Sequence, residues 1–158
     1  MRALSQRAHT THELEEKLKK RPQYNLERGK TVLSRLQELG LLNDAGFLQR
    51  AVEDASQFRL EGPLKVAARL YKKGIPIEET KASWREQGIS ELEVAENALK
   101  RAAKRFQHSP KVSFKKPSRE RPQKFSGEQL DRRKAQFLAS RGFSPETIFK
   151  LAKIDGPL

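Results

Sequence analysis

The chain of 158 residues has no cysteine, one tryptophan, two tyrosines and one methionine. Without thiols, disulfide frameworks, thiolate zinc sites, iron–sulfur ligation and cysteine nucleophiles are all excluded. Nothing ties the sequence to the oxidising compartments where small disulfide-rich domains fold. Only 35% of residues are hydrophobic, and no apolar run approaches the roughly eighteen residues that a membrane span requires. The opening Met1-Arg2-Ala3-Leu4 leads into charge rather than into the apolar heart of a signal peptide. A soluble, unexported, cytoplasmic protein with no membrane partner is therefore expected. A chain of this length buries about two thirds of the surface it exposes when unfolded, so a core drawn from so few apolar residues should be thin or divided.

Acidic residues are also the minority, 20 against 33 Lys plus Arg, which leaves a formal charge of +13. Such an excess of one sign points to an anionic partner: DNA, RNA or an acidic protein surface. The charge is concentrated between residues 107 and 125. There Lys111, Lys115, Lys116, Arg119, Arg121 and Lys124 face the single Glu120, with Pro110, Pro117 and Pro122 interrupting any periodicity. This stretch reads as a mobile basic linker, whose contact with a polyanion would weaken sharply with salt.

Helix signals dominate the remainder. Thr10-Thr11-His12-Glu13 has the form of a capping box, and Leu14 and Leu18 follow on one face. Pro22 and Gln23 end that helix. Val32, Leu33, Leu36 and Leu39 mark the next, which Gly40 stops. From Asp44 a stripe of Phe47, Leu48, Ala51, Val52, Ala55 and Phe58 runs to Gly62-Pro63, which opens a helix with Ala67, Leu70 and Tyr71. Gly74 and Gly88 bracket a helix carrying Trp84. A second capping box, Ser90 to Glu93, introduces Val94, Ala95, Ala98, Leu99, Ala102, Ala103 and Phe106. Beyond the linker, Ser126 with Gln129 heads a helix through Leu130, Phe137 and Leu138 to Gly142, and Ser144-Pro145-Glu146 starts a last one through Ile148 and Leu151. No convincing period-two alternation or hairpin signal occurs, so the expected fold is all-α.

The chain also resembles itself. Leu70-Tyr71-Lys72-Lys73-Gly74-Ile75-Pro76-Ile77-Glu78 parallels Leu138-Ala139-Ser140-Arg141-Gly142-Phe143-Ser144-Pro145-Glu146, and Leu18 to Glu27 is a looser copy. About nine helices in three sets of three are expected, over residues 1–42, 43–88 and 89–158, the last interrupted by the linker. In each set a basic helix end should meet a tight turn, an apolar plug and an acidic helix start, an arrangement that complements both macrodipoles.

Catalytic chemistry is poorly represented. His9 and His12 with Glu13 lack a further ligand at helical spacing, and His108 lies far away, so two surface histidines rather than a metal site are expected. There is no phosphate-cradling glycine loop, nucleophile elbow or two-histidine zinc motif; no enzyme, metal or cofactor is expected. The segment from Leu64 to Trp84 has the outline of a helix-turn-helix. Glu78, Glu79 and Glu86 outweigh Lys81 and Arg85 on its second helix, which favours a plain helical hairpin with Trp84 as a core anchor. Phe114 and Phe125, flanked by Lys115, Lys116 and Lys124, have the composition for stacking on single strands, although the prolines favour a solvated tether.

Four stretches, taken in order, resemble the RecX family of regulators of the bacterial RecA recombinase. They are Arg7-x-x-Thr10-x-x-Glu13-Leu14-x-x-Lys17-Leu18, Leu36-x-x-Leu39-Gly40-Leu41-Leu42-Asn43-Asp44-x-x-Phe47, Gly62-Pro63 with Leu70-x-x-Lys73-Gly74-Ile75, and Phe137-Leu138-x-x-Arg141-Gly142-Phe143-Ser144-x-Glu146-x-Ile148. The resemblance implies an elongated, curved array of tandem three-helix repeats. It further implies binding in the groove of the RecA–DNA filament, mainly inhibiting ATP hydrolysis, strand exchange and co-protease activity in recombination, DNA repair and the SOS response. The chain departs from the family in a short first helix, in Thr80 where the third repeat has Ile148, and in the length of its linker.

Shape and charge together nominate Lys65, Arg69, Lys72, Lys73, Arg132, Arg133, Lys134 and Arg141 as contacts to RecA or DNA, with the six linker cations beside them. A monomer is expected. The alternative is a basic helical module that acts directly on single- or double-stranded DNA.

Overall fold

The computed structural model describes residues 8–22, 24–107 and 127–152. Arg7, Gln23, His108, Phe114, Phe125, Ser126 and the linker cations Lys111, Lys115, Lys116, Arg119, Arg121 and Lys124 lie outside them, as do the side chains of Phe106 and Gln129. Among the described residues all regular structure is helical. The elements are α1 (Thr11–Lys19), α2 (Leu26–Glu38), α3 (Asp44–Asp54) continuing into a π-turn (Ala55–Arg59), α4 (Pro63–Tyr71), α5 (Ile77–Glu86), α6 (Glu91–Gln107), α7 (Gly127–Ser140) and α8 (Pro145–Ala152).

Side-chain caps start most of these helices. Thr10, Asn25, Asn43, Ser90 and Ser144 accept from the backbone N–H three residues on, at 2.7 to 3.4 Å, satisfying a donor that the helix itself leaves orphaned. Glycines stop them. Gly40, Gly74, Gly88 and Gly142 have φ between +64° and +82°. After each, the next N–H reaches back to a carbonyl five residues earlier, as Ile75 does to Leu70 at 3.1 Å and Phe143 to Leu138 at 3.2 Å. This is the glycine C-terminal motif in which only a residue without Cβ is unstrained. The residues after Gly74 and Gly142, Ile75 and Phe143, are 4% and 2% exposed. Both therefore act as the expected plugs, and Glu78 and Glu146 follow in the first turns of α5 and α8.

The chain divides into two compact units, one of residues 1–55 and 66–89, the other of residues 56–65 and 90–158. In the first, α1 packs on α2 and α3 on α5. Leu14, Leu33 and Leu42 form a buried cluster against which Leu18 and Leu36 pack, and Trp84 is buried with its indole N–H donating to the Ile89 carbonyl at 3.1 Å. In the second, α6, α7 and α8 pack pairwise over Val94, Ala95, Ala98, Ala135, Leu138, Phe143 and Ile148, all buried. Residues 61–65 join this unit along the α7–α8 turn: Gly62 N–H donates to Arg141 O at 2.8 Å and Leu64 N–H to Gly142 O at 3.1 Å.

Some expectations need correction. Phe58 belongs to the apolar stripe of α3 at a regular helical period, yet it is 67% exposed. The π-turn adds a residue to the last turn of that helix and rotates Phe58 off the buried face. The turn ends at Leu60, whose φ of +52° is the one left-handed non-glycine among the described residues and whose side chain is buried. On α2 the buried stripe is narrower than its sequence suggests, with Leu33 inside and Val32 and Leu39 about half exposed. His9 is not a surface histidine; it is buried at the entry to α1. Thr80 and Ile148 are both buried, and the Thr80 hydroxyl donates to Pro76 O at 3.3 Å, so the polar replacement is satisfied locally.

The glycine turns differ in how tightly they are enclosed. A Cβ on Gly142 would strike Lys65, and one on Gly74 would strike His12, whereas Gly88 faces open space. Gly142→Ala and Gly74→Ala are expected to lose about 2–4 kcal/mol from backbone strain plus overpacking, and Gly88→Ala only about 1 kcal/mol from strain. Urea unfolding midpoints of the three variants check this order.

Candidate functional site

The motif residues of the first unit converge on one polar knot. The Thr10 hydroxyl accepts from Glu13 N–H and donates to Lys73 O at 2.6 Å, bridging the start of α1 and the end of α4. The Lys73 ammonium reaches Glu13 Oε1 at 3.1 Å and lies 4.8 Å from the centre of the Phe47 ring. Thr11 N–H donates to Asp44 Oδ1 at 2.9 Å. His9 stands behind Glu13, with Nδ1 3.4 Å from Glu13 Oε2 and Nε2 3.2 Å from Lys17 Nζ. On the outer face of α1, Lys19 donates to Glu16 and holds its carboxyl below the usual range. That pair is open to solvent and carries little stability.

In the second unit Arg141 has a similar duty. Its guanidinium donates to the carbonyls of Arg59 and Leu60 and lies 5.1 Å from the Phe137 ring centre. Arg101 donates to Phe58 O at 2.9 Å, so two arginines fasten the carbonyls of the π-turn. Glu91 accepts from Ser144 N–H, tying α6 to the start of α8. Lys65 lies 3.5 Å from Glu61 Oε1 and 3.4 Å from Ser140 O. Lys134 pairs with Asp131 at 2.8 Å.

The nominated cations thus separate by role. Lys73 and Arg141 bond across elements of their own unit, Lys65 and Lys134 pair with near neighbours, and Arg69, Arg132 and Arg133 also have interaction partners. Lys72 and Arg132 are exposed, Lys65 is exposed beside Glu61, and Arg69, Arg133 and Lys134 are half-buried. Arg69, Lys72 and Lys73 belong to the first unit; Lys65, Arg132, Arg133, Lys134 and Arg141 belong to the second. Trp84 is 5% exposed and offers no face to a base, in keeping with a helical hairpin. Arg101 was not recoverable from sequence, because its carbonyl partner lies 43 residues away and a single arginine on a helix carries no signal. Among the described residues no group of three or more His, Asp or Glu is placed to hold a metal ion, and no helix is long and apolar enough to cross a membrane.

Fold and surface together define a basic, all-helical protein of two units whose helix ends are locked by glycine turns and buried polar bridges. No family model matches the chain. Over 157 residues it is 31% identical to the regulatory protein RecX of Chlorobaculum tepidum, an alignment that covers 98% of this chain and 84% of that one. Its fold matches the crystal structure of RecX from Lactobacillus salivarius with a TM-score of 0.73 at 20% identity, over 96% of this chain and 88% of the other. A second crystal structure of regulatory protein RecX matches with a TM-score of 0.67 at 20% identity, over 96% and 66%. The chain belongs to the RecX family of regulatory proteins.

The adjacent lysines of α4's end provide a direct test of the two roles. Lys73→Ala removes a partly buried charged hydrogen bond and a ring contact, and is expected to cost about 1.5–3 kcal/mol. Lys72→Ala should stay within about 0.5 kcal/mol of the parent. Thermal unfolding of the two single variants measures the difference.

Proposed function

We propose that this protein is a non-enzymatic regulator of the RecA recombinase, mainly an inhibitor, that binds as a monomer in the groove of the RecA–DNA filament in the cytoplasm. Membership of the RecX family carries the reading. The net charge of +13 supports it, since a filament of protein and nucleic acid presents phosphates and carboxylates along its length.

The proposed contacts are Lys72 and Arg69 in the first unit and Lys65, Arg132, Arg133 and Lys134 in the second, with Lys111, Lys115, Lys116, Arg119, Arg121 and Lys124 adding a salt-sensitive hold. Lys73 and Arg141 act indirectly here, by fixing the helix ends that carry their neighbours. Because cations occur in both units, one molecule engages more than one filament subunit, and avidity favours assembled filament over free recombinase. The regulator then needs no reaction of its own: it stabilises one state of the filament by its differential affinity for it.

Titration of RecA ATPase on single-stranded DNA tests this. Inhibition is expected at well under one regulator per recombinase and should persist when DNA is saturating. The double variant Lys72→Glu with Arg132→Glu should need about tenfold more protein for the same effect, with unchanged helicity. Inhibition that extra DNA relieves would instead assign the activity to direct nucleic-acid binding, and absence of inhibition would end the proposal.

A further inference from the structure

A cleft of about 310 Å³ opens on the first unit between the end of α1 and the first turns of α2, lined by Leu18, Arg21, Tyr24, Arg28, Gly29 and Val32. Its floor is apolar. Leu18 packs on the Leu14, Leu33 and Leu42 cluster, and Val32 leaves half of its surface in water. Gly29 is buried directly beneath Tyr24: a methyl group there would come within 2.7 Å of the Tyr24 Cε2 atom. The absence of a side chain at Gly29 therefore seats the tyrosine ring and shapes the depression.

The charge around the cleft is uncompensated. On these two helices Lys19 pairs with Glu16 at 3.1 Å, Lys30 with Glu27 at 3.9 Å and Arg35 with Glu38 at 2.8 Å. Arg21 and Arg28 are exposed, and among the described residues neither guanidinium has a hydrogen-bond or ion-pair partner. Both line this one cleft, and no carboxylate does. Two planar, forked donors beside an aliphatic hollow match a chain that offers carboxylates and an apolar side chain in alternation. The positive end of α2, which begins at Leu26, adds to the attraction for anions. A nucleic-acid strand would satisfy the arginines and find one ring to stack on, Tyr24, but would leave Leu18 and Val32 against water, since neither offers a flat face for a base.

We propose that this cleft docks an acidic peptide segment of a partner protein, with an apolar side chain seated over Leu18, Tyr24 and Val32 and its carboxylates paired with Arg21 and Arg28. The site is separate from the cations assigned to the filament contact, and its existence does not depend on that assignment.

The test is a titration of the isotopically labelled full chain, followed by amide chemical shifts, with three probes: a peptide alternating Glu and Leu, a peptide of equal charge alternating Glu and Ser, and an oligothymidine. Saturable shifts at Gly29 and Val32 are expected with the Glu–Leu peptide, binding at least about tenfold tighter than the Glu–Ser peptide. Arg21→Glu with Arg28→Glu should weaken that binding by about tenfold or more while the thermal midpoint stays put, because among the described residues neither guanidinium has a bonded partner. Should that double variant unfold, Val32→Asp, at an exposed position, is expected to abolish the same shifts in a folded protein. Equal affinity for the two peptides, shifts confined to other residues, or stronger shifts of the same amides by oligothymidine would each overturn the proposal, the last assigning the cleft to nucleic acid.

Discussion

The first unit depends on one hydroxyl group. Thr10 is fully buried, accepts the orphan N–H at the start of α1 and donates to the orphan carbonyl at the end of α4, 63 residues away in sequence. Helix ends are where backbone groups lack internal partners, and an unsatisfied buried group costs about 1–3 kcal/mol. A single oxygen that resolves both ends at once fixes the register of two helices. Lys73, Glu13 and Phe47 then close around it. The second unit solves the corresponding problem with a different group: the Arg141 guanidinium satisfies carbonyls of the π-turn, and Gly62 and Leu64 bind the exposed carbonyls after α7.

Much of this was legible in the residues. Caps at Thr10, Ser90 and Ser144, glycine stops at Gly40, Gly74, Gly88 and Gly142, and plugs at Ile75 and Phe143 are local devices, each set by a few neighbouring side chains, and the structure contains all of them. What sequence could not supply is what depends on distant partners. Phe58 follows the helical period and is nonetheless turned out, because the backbone between Ala55 and Arg59 widens where Arg101 and Arg141 bind its carbonyls. His9 precedes α1 and carries no periodic signal of burial, yet it is buried with its ring against Glu13 and Lys17 of that helix. The order of the four motifs identified the family, yet their role was hidden: Thr10 with Glu13, Phe47 and Lys73 come from three separate motifs that meet only in three dimensions.

The same distinction sorts the charges. A lysine beside a glycine turn has the same local sequence whether it reaches outward or folds inward, so Lys72 and Lys73 look alike until their surroundings are known. Lys72 is exposed, whereas Lys73 is bound to Glu13. The count of 33 Lys plus Arg therefore overstates the cations available to a partner, since several are held in short-range pairs along the helices. The cations left over, Arg21 and Arg28 among them, are the more informative ones.

The division of the chain has a consequence for its synthesis. The second unit draws residues 56–65 from within the span of the first, and the first is not complete until residue 89. A ribosome that has released only the opening fifty-five residues has produced no finished unit, and α4 must wait for α7 and α8 before Gly62 and Leu64 find acceptors. Because each unit is built from two stretches of sequence, no single cut in the chain separates one from the other.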